Sequence, residues 1–304
     1  MIRKHTRRAA KAAFAISLGV AIVLGGTATA AAQRQATPTI VVGNKNFTEE
    51  YVLGQLYGQA LQAAGFKVKF AGSLGSSELA DTAIKTGKID LLPEYTGVIV
   101  LDLAKGKSPK TAAATYAAAK KFEETRGLTL LKATPFYDTD TVTVLTSTAK
   151  KYGLKTIADL KKVPSLSYGG YPECDKRITC LLGIKQIYGV SQVKFVQLAS
   201  ISVYTLLDQH KITAGDGFST DPQQLNKKYT VLADTKHIFG FQNVAPIVSK
   251  KILSQGGSKF ARTVNAVSAK LTLPAMQAMN KAVAIDKKTP AAVASAFLKA
   301  NGLK

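Results

Sequence analysis

Between Thr39 and Leu92 three short apolar runs, TIVVG (39–43), KVKFA (67–71) and KIDLL (88–92), alternate with two stretches of helical period. That alternation commits a chain to an α/β fold with a largely parallel sheet and helices on its faces. In the first helical stretch Val52, Leu53, Leu56, Tyr57, Ala60 and Leu61 share one face. Thr48 stands where a cap is needed, and Glu49 and Glu50 follow in the first turn, where the helix dipole favours acids. The loops Asn44–Asn46, Gly72–Ser77 and Glu94–Gly97 then fall along one carboxyl edge, the edge at which open α/β sheets bind ligands. Pro93 is expected to end the third strand's ladder, and Gly97 to permit a turn presenting Tyr95 and Thr96.

A second α/β unit follows, with strands expected in PSLSYGG, QVKFVQL, AGDGF and YTVLAD; residues 259–302 are mostly helical, interrupted at Pro274 and Pro290. A helical tail without a sheet of its own most simply packs on the first unit. The chain is therefore read as two lobes, 38–142 plus 242–304 and 143–241, joined by crossings near 141–146 and 239–247 that together make a hinge.

Residues 1–32 are set apart as a signal peptide: Arg3, Lys4, Arg7, Arg8 and Lys11 precede the apolar run Ala12–Gly26 and the small-residue stretch TATAAAQ. Fifteen apolar residues are short for a membrane anchor, so a cleaved, periplasmic protein is expected, with no cysteine near the cleavage site to carry lipid. Loss of the five leader cations takes the formal charge from +22 to +17. The lysines are scattered and not interleaved with aromatics, so no nucleic-acid partner is expected. Cys174 and Cys180 are the only cysteines. In an oxidising compartment they are expected to pair as a local staple; with His5, His210 and His237 at no ligating spacing, neither a metal nor any other cofactor is expected.

The residues also weigh against an enzyme. There is no G-x-S-x-G elbow, neither cysteine has a histidine partner, and Asp138 and Asp140 are two apart on one loop, which does not place them on opposite sides of a substrate. What gathers at the strand ends is aromatic, hydroxyl and acidic: Phe47, Thr48, Tyr95, Asp138, Asp140, Tyr204, Phe218, Thr220 and Asp221 among others. Aromatic faces and acids suit a small cationic or zwitterionic ligand held between lobes.

Three segments in this order, GNKNFTEEYVLGQLYGQAL, GSSELADTAIKTGKIDLLPEYTG and YTLLDQHKITAGDGFSTD, resemble the quaternary-amine substrate-binding proteins of ABC importers, which bind glycine betaine, choline and carnitine. The resemblance covers nearly the whole chain after the leader, and YPECDKRITCLLGIKQIYG is similar to the branch that carries a cysteine pair. It implies a two-lobed, Venus-flytrap receptor that delivers a quaternary amine or zwitterion to a permease and its ATPase; a monomer is expected. Carried over by position, Tyr95 and Tyr204 would wall an aromatic cage, with Tyr229 as a third. Lys45, Thr48 and Thr96 would line the first lobe's side, and Arg177 would reach from the second toward a ligand carboxylate. The chain departs from the pattern where it places Asp140 at the position of a cage tyrosine, and where Val98 replaces a hydroxyl found in some members. That exchange substitutes an ion pair for a cation–π contact and leaves the choice of cation open.

Overall fold

The computed structural model describes residues 38–198 and 201–304, so the signal-peptide segment lies outside the described residues. Two five-stranded sheets form the frame. In the first, β1 (Thr39–Asn44), β2 (Lys67–Ser73), β3 (Leu91–Tyr95), β4 (Leu128–Leu130) and β10 (Val244–Ser249) lie in the order β2-β1-β3-β10-β4. In the second, β5 (Asp140–Leu145), β6 (Leu166–Gly170), β7 (Val193–Gln197), β8 (Ala214–Phe218) and β9 (Tyr229–Leu232) lie in the order β7-β6-β8-β5-β9.

Each sheet is mixed, where the alternation of strand and helix predicts a largely parallel one. β1 pairs in parallel with β2 and β3, and β6 with β7 and β8, but β10 runs antiparallel to β3 and β4, and β5 antiparallel to β8 and β9. The exceptions are the strands that receive the chain from the other sheet. They start at the edge where their neighbours end, so they must run the opposite way.

The first crossing lies upstream of its expected place. β5 pairs Asp140 with Phe218 and Val142 with Asp216, so residues 140–142 belong to the second sheet, and the span 141–146 lies in that strand up to Leu145 and then opens α5. The chain crosses between Leu130 and Asp140 and returns between Leu232 and Val244. These two segments run side by side: the Asn243 side-chain amide donates to the carbonyls of Thr134 and Phe136, and the Asp138 amide donates to the Gln242 carbonyl.

Helices cover both faces of the first sheet. α1 (Thr48–Ala63) packs with α8 (Lys250–Lys270), α9 (Leu273–Ala284) and α10 (Pro290–Ala300), burying Leu53, Leu56, Phe260, Val264 and Leu298 completely. α2 (Ser77–Lys85), the single turn α3 (Thr96–Val98) continuing through the wide turn Ile99–Leu103, and α4 (Ala112–Glu124) cover the other face around Ile84, Leu92 and Ile99. α5 (Thr146–Tyr152) and α6 (Leu181–Gln186) pack on one side of the second sheet, and α7 (Val203–Asp208) on the other. Burial of each such large aliphatic side chain contributes about 1.5–3 kcal/mol. The proline of β3 does not stop its ladder. Pro93 faces Pro246 of β10, so two residues without an N–H oppose each other and pairing continues to Tyr95.

Candidate functional site

The carboxyl edge of the first sheet supplies one wall of an inter-sheet cleft. Lys45, in the loop after β1, is almost fully buried, and its ammonium pairs with Glu94, lies 3.6 Å from Glu50 and donates to Ser77 Oγ at 3.4 Å. The same ammonium stands 4.1 Å from the Tyr95 ring centroid, a cation–π distance. Glu49 and Glu50 are not solvent-facing first-turn acids. α1 begins with Phe47 as its cap residue and Thr48 as its first helical residue, and no side chain caps it. This turns both glutamates inward, where Glu50 accepts from the Lys45 amide and Glu49 from the Tyr95 hydroxyl. Burial pushes Glu50 up to about 8, partly offset by Lys45.

The second sheet supplies the opposing wall. Asp140 and Asp216 come from adjacent strands in diagonal register, and Phe218 ends β8 beside them. Burial, opposed by Arg177, leaves Asp140 at about 7; burial and the nearby Asp140 charge hold Asp216 well above the carboxylate range. Asp138 accepts from Ser219 Oγ and the Thr220 amide. Four aromatic rings form a row across the cleft: Tyr95 stacks on Phe47 at 6.2 Å, Phe47 on Phe218 at 5.4 Å, and Tyr171 tilts against Phe218 at 6.4 Å. Cys174 and Cys180 are bonded to each other beneath this wall; their sulfurs and an Asp216 oxygen lie close together, but the disulfide leaves no thiolate for a metal.

Arg177 does not offer an open fork. Its guanidinium is bidentate on Glu78 of α2, with contacts of 3.0 Å to both carboxylate oxygens, so a second-lobe cation is clamped to a first-lobe acid. Two residues on, Thr179 Oγ1 donates to Asp102 Oδ2 at 2.8 Å, a second contact between the two sides.

The cleft contains two adjoining cavities. The first, about 50 Å³, is lined by Lys45, Tyr95, Asp140, Arg177 and Gln242, among others. The second, about 180 Å³, lies toward α7 and α9 and is lined by Thr48, Glu49, Tyr204, Thr220, Asp221 and Asn280, among others. Phe47, Asp138, Tyr171, Asp216 and Phe218 border both. Eleven of the residues singled out at the strand ends or by position thus meet at the cleft: Lys45, Phe47, Thr48, Tyr95, Asp138, Asp140, Arg177, Tyr204, Phe218, Thr220 and Asp221.

Thr96 and Tyr229 line neither cavity. Thr96 is fully buried and donates to the Phe241 carbonyl in the returning crossing, while Tyr229 packs edge-on against Tyr204 and donates to Asp208 at the surface. Gly97 serves close packing: a Cβ there would come within 2.6 Å of the Gln242 side chain, whose Oε1 accepts from the Val98 amide. The site also includes Glu49, Tyr171, Glu173, Asp216 and Gln242, which the sequence pattern does not mark as ligand contacts. Asp216 carries a legible signal, since a lone acid in the strand AGDGF must be buried.

The family model for the substrate-binding domain of ABC-type glycine betaine transport systems matches residues 38–300. The chain is 32% identical over 277 residues to a glycine-betaine-binding protein of Pseudomonas aeruginosa, covering 87% of this chain and 88% of that one. It is 26% identical over 270 residues to the ergothioneine transport permease/ergothioneine binding protein EgtU of Helicobacter pylori, covering 87% of this chain and 48% of that protein. Among solved structures, that of a glycine betaine/carnitine/choline ABC transporter protein superposes with a TM-score of 0.69 at 24% identity, over 87% of this chain and 99% of that one, a likeness of fold. With its two sheets, double crossing and inter-sheet cleft, this chain belongs to the family of substrate-binding domains of ABC-type glycine betaine transport systems.

Proposed function

We propose that this chain is the exported, periplasmic receptor of an ABC importer. It captures a quaternary amine between its lobes and hands it, as a monomer, to a permease driven by an ATPase. Family membership supports the transport role, and the double crossing supports closure about the segments 131–139 and 233–243. The observation that carries the ligand class is the state of the cleft's two cations. Lys45 is held by Glu94 and Glu50, and Arg177 by Glu78, while Asp138, Asp140 and Asp216 form no ion pair among the described residues, Arg177 acting on Asp140 and Asp216 only from beyond contact. Such a cleft favours a ligand whose positive charge is not balanced by its own carboxylate, so choline is preferred to glycine betaine. Aromatic faces and carboxylates together hold the head, the first by its quadrupole and the second by charge.

Calorimetric titration with choline, carnitine, glycine betaine, ectoine and basic amino acids tests this reading. Saturable heat with choline, and a smaller radius of gyration by X-ray scattering on its addition, are expected. No heat with any of these solutes, together with an unchanged radius of gyration, overturns the proposal.

A further inference from the structure

The larger of the two cavities has an unusual charge inventory. Glu49, Asp138, Asp216 and Asp221 border it, and no lysine, arginine or histidine does among the described residues. Neutral donors serve three of these acids: Tyr95 and Asn280 donate to Glu49, Ser219 and the Thr220 amide to Asp138, and Tyr204 and the Phe218 amide to Asp221. Asp216, only 4% exposed, has a single 3.5 Å contact, from the Tyr168 hydroxyl. Asn280 spends both amide protons, on Glu49 and on the Thr220 carbonyl, which leaves its Oδ1 buried with no donor.

A gathering of acids could also hold a metal ion. Here the carboxylate oxygens do not converge: the one cluster of close ligating atoms among the described residues is Cys174, Cys180 and Asp216, and its sulfurs are bonded to each other. What the cavity lacks is a positive charge carrying several N–H donors, able to serve more than one of its acids together, Asp216 with its single weak contact above all. A trimethylammonium group supplies charge but no donor, so it would leave those acceptors unpaired. A primary ammonium or guanidinium supplies both, and the Tyr171, Tyr204 and Phe218 rings on the same wall suit it.

We infer that this second cavity is a subsite for an N–H-bearing organic cation, so that the receptor accepts solutes carrying a primary ammonium or guanidinium group at one end. Burial pushes Glu49, Asp138 and Asp216 up and Asp221 to about 6, so entry of a cation is expected to release protons from these acids. The inference rests on the reading of the cleft as a solute site. It adds a second point of attachment beyond the head-group position beside Asp140.

Titration of the purified protein with putrescine, cadaverine and agmatine, with n-butylamine as single-charge control and choline as head-group control, tests it. At least one of the three two-headed cations is expected to bind tenfold or more tighter than n-butylamine. Asp221→Asn and Glu49→Gln are each expected to weaken that cation at least tenfold more than they weaken choline. Should either variant fail to fold, the wild-type comparison with n-butylamine still decides. Choline binding with no advantage of any two-headed cation over n-butylamine overturns the second subsite and leaves the transport reading standing. No binding of any probe removes both.

Discussion

The two walls of the cleft handle charge in opposite ways. On the first, Lys45 is neutralised within its own lobe by Glu50 and Glu94, and Tyr95 is fixed by Glu49. On the second, Asp140 and Asp216 form no ion pair among the described residues, and Arg177 is hydrogen-bonded to Glu78 across the cleft. The first wall has its charge balanced without ligand or closure, although Glu50 Oε1 and Glu94 Oε2 are buried there without a hydrogen-bond donor among the described residues; the second makes its ion pair only by contact with the first. A cation that enters therefore stabilises the closed arrangement, because it satisfies acids that the protein leaves unpaired.

Removing Lys45 breaks the self-contained wall most severely. Lys45→Met leaves two buried carboxylates facing each other, and loss of about 3–5 kcal/mol in urea unfolding is expected. A loss below about 1 kcal/mol would mean that the cluster holds no buried charge. On the other wall, Asp140→Tyr restores the aromatic surface that the family pattern places there. Glycine betaine affinity should rise about tenfold, ~1.4 kcal/mol, and choline affinity should fall; unchanged affinities would show that Asp140 does not select the ligand.

The pH dependence of stability sharpens the same contrast. Burial raises Glu50 to about 8, Glu123 and Asp140 to about 7 and Asp221 to about 6. An acid raised in the folded state contributes stability that is fully present below its unfolded value, and this is lost as pH rises through the folded value. The loss therefore accumulates from the ordinary carboxylate range, 3.8 to 4.5, up to pH about 8. The ligand-free protein should therefore melt at least about 3 °C higher at pH 5.5 than at pH 8, and scanning calorimetry checks it. The smallest effect belongs to the clamp. Glu78 is partly exposed, so Glu78→Gln should change stability by less than about 1 kcal/mol. It should nevertheless enlarge the ligand-free radius of gyration, and an unchanged radius would remove the clamp from closure.

Much of this was legible in the residues. The alternation from Thr39 onward fixes the α/β class, and the cluster K-N-F-T-E with P-E-Y-T-G marks the cleft edge, since the residues after each apolar run form the loop at that strand's end. Strand direction was not legible: β5 and β10 have the same apolar pattern whichever way they run, and only their entry from the opposite sheet makes them antiparallel. β4, three residues long, is too short to carry a pattern. Glu49 and Glu50 read as helix-dipole acids because that role and a buried cluster require the same residues at the same position. Arg177 was legible as a cleft residue and illegible as a clamp, because its partner Glu78 lies ninety-nine residues away in sequence.

We propose that the cleft recognises positive charge and not merely the volume of a methylated head. Choline and its neutral carbon isostere 3,3-dimethyl-1-butanol have nearly the same shape and differ in charge. Titrated side by side at pH 8, where Asp140 is ionised, choline should bind at least a hundredfold tighter, a difference of ~2.7 kcal/mol. Equal affinities for the two would show that charge does not select the ligand.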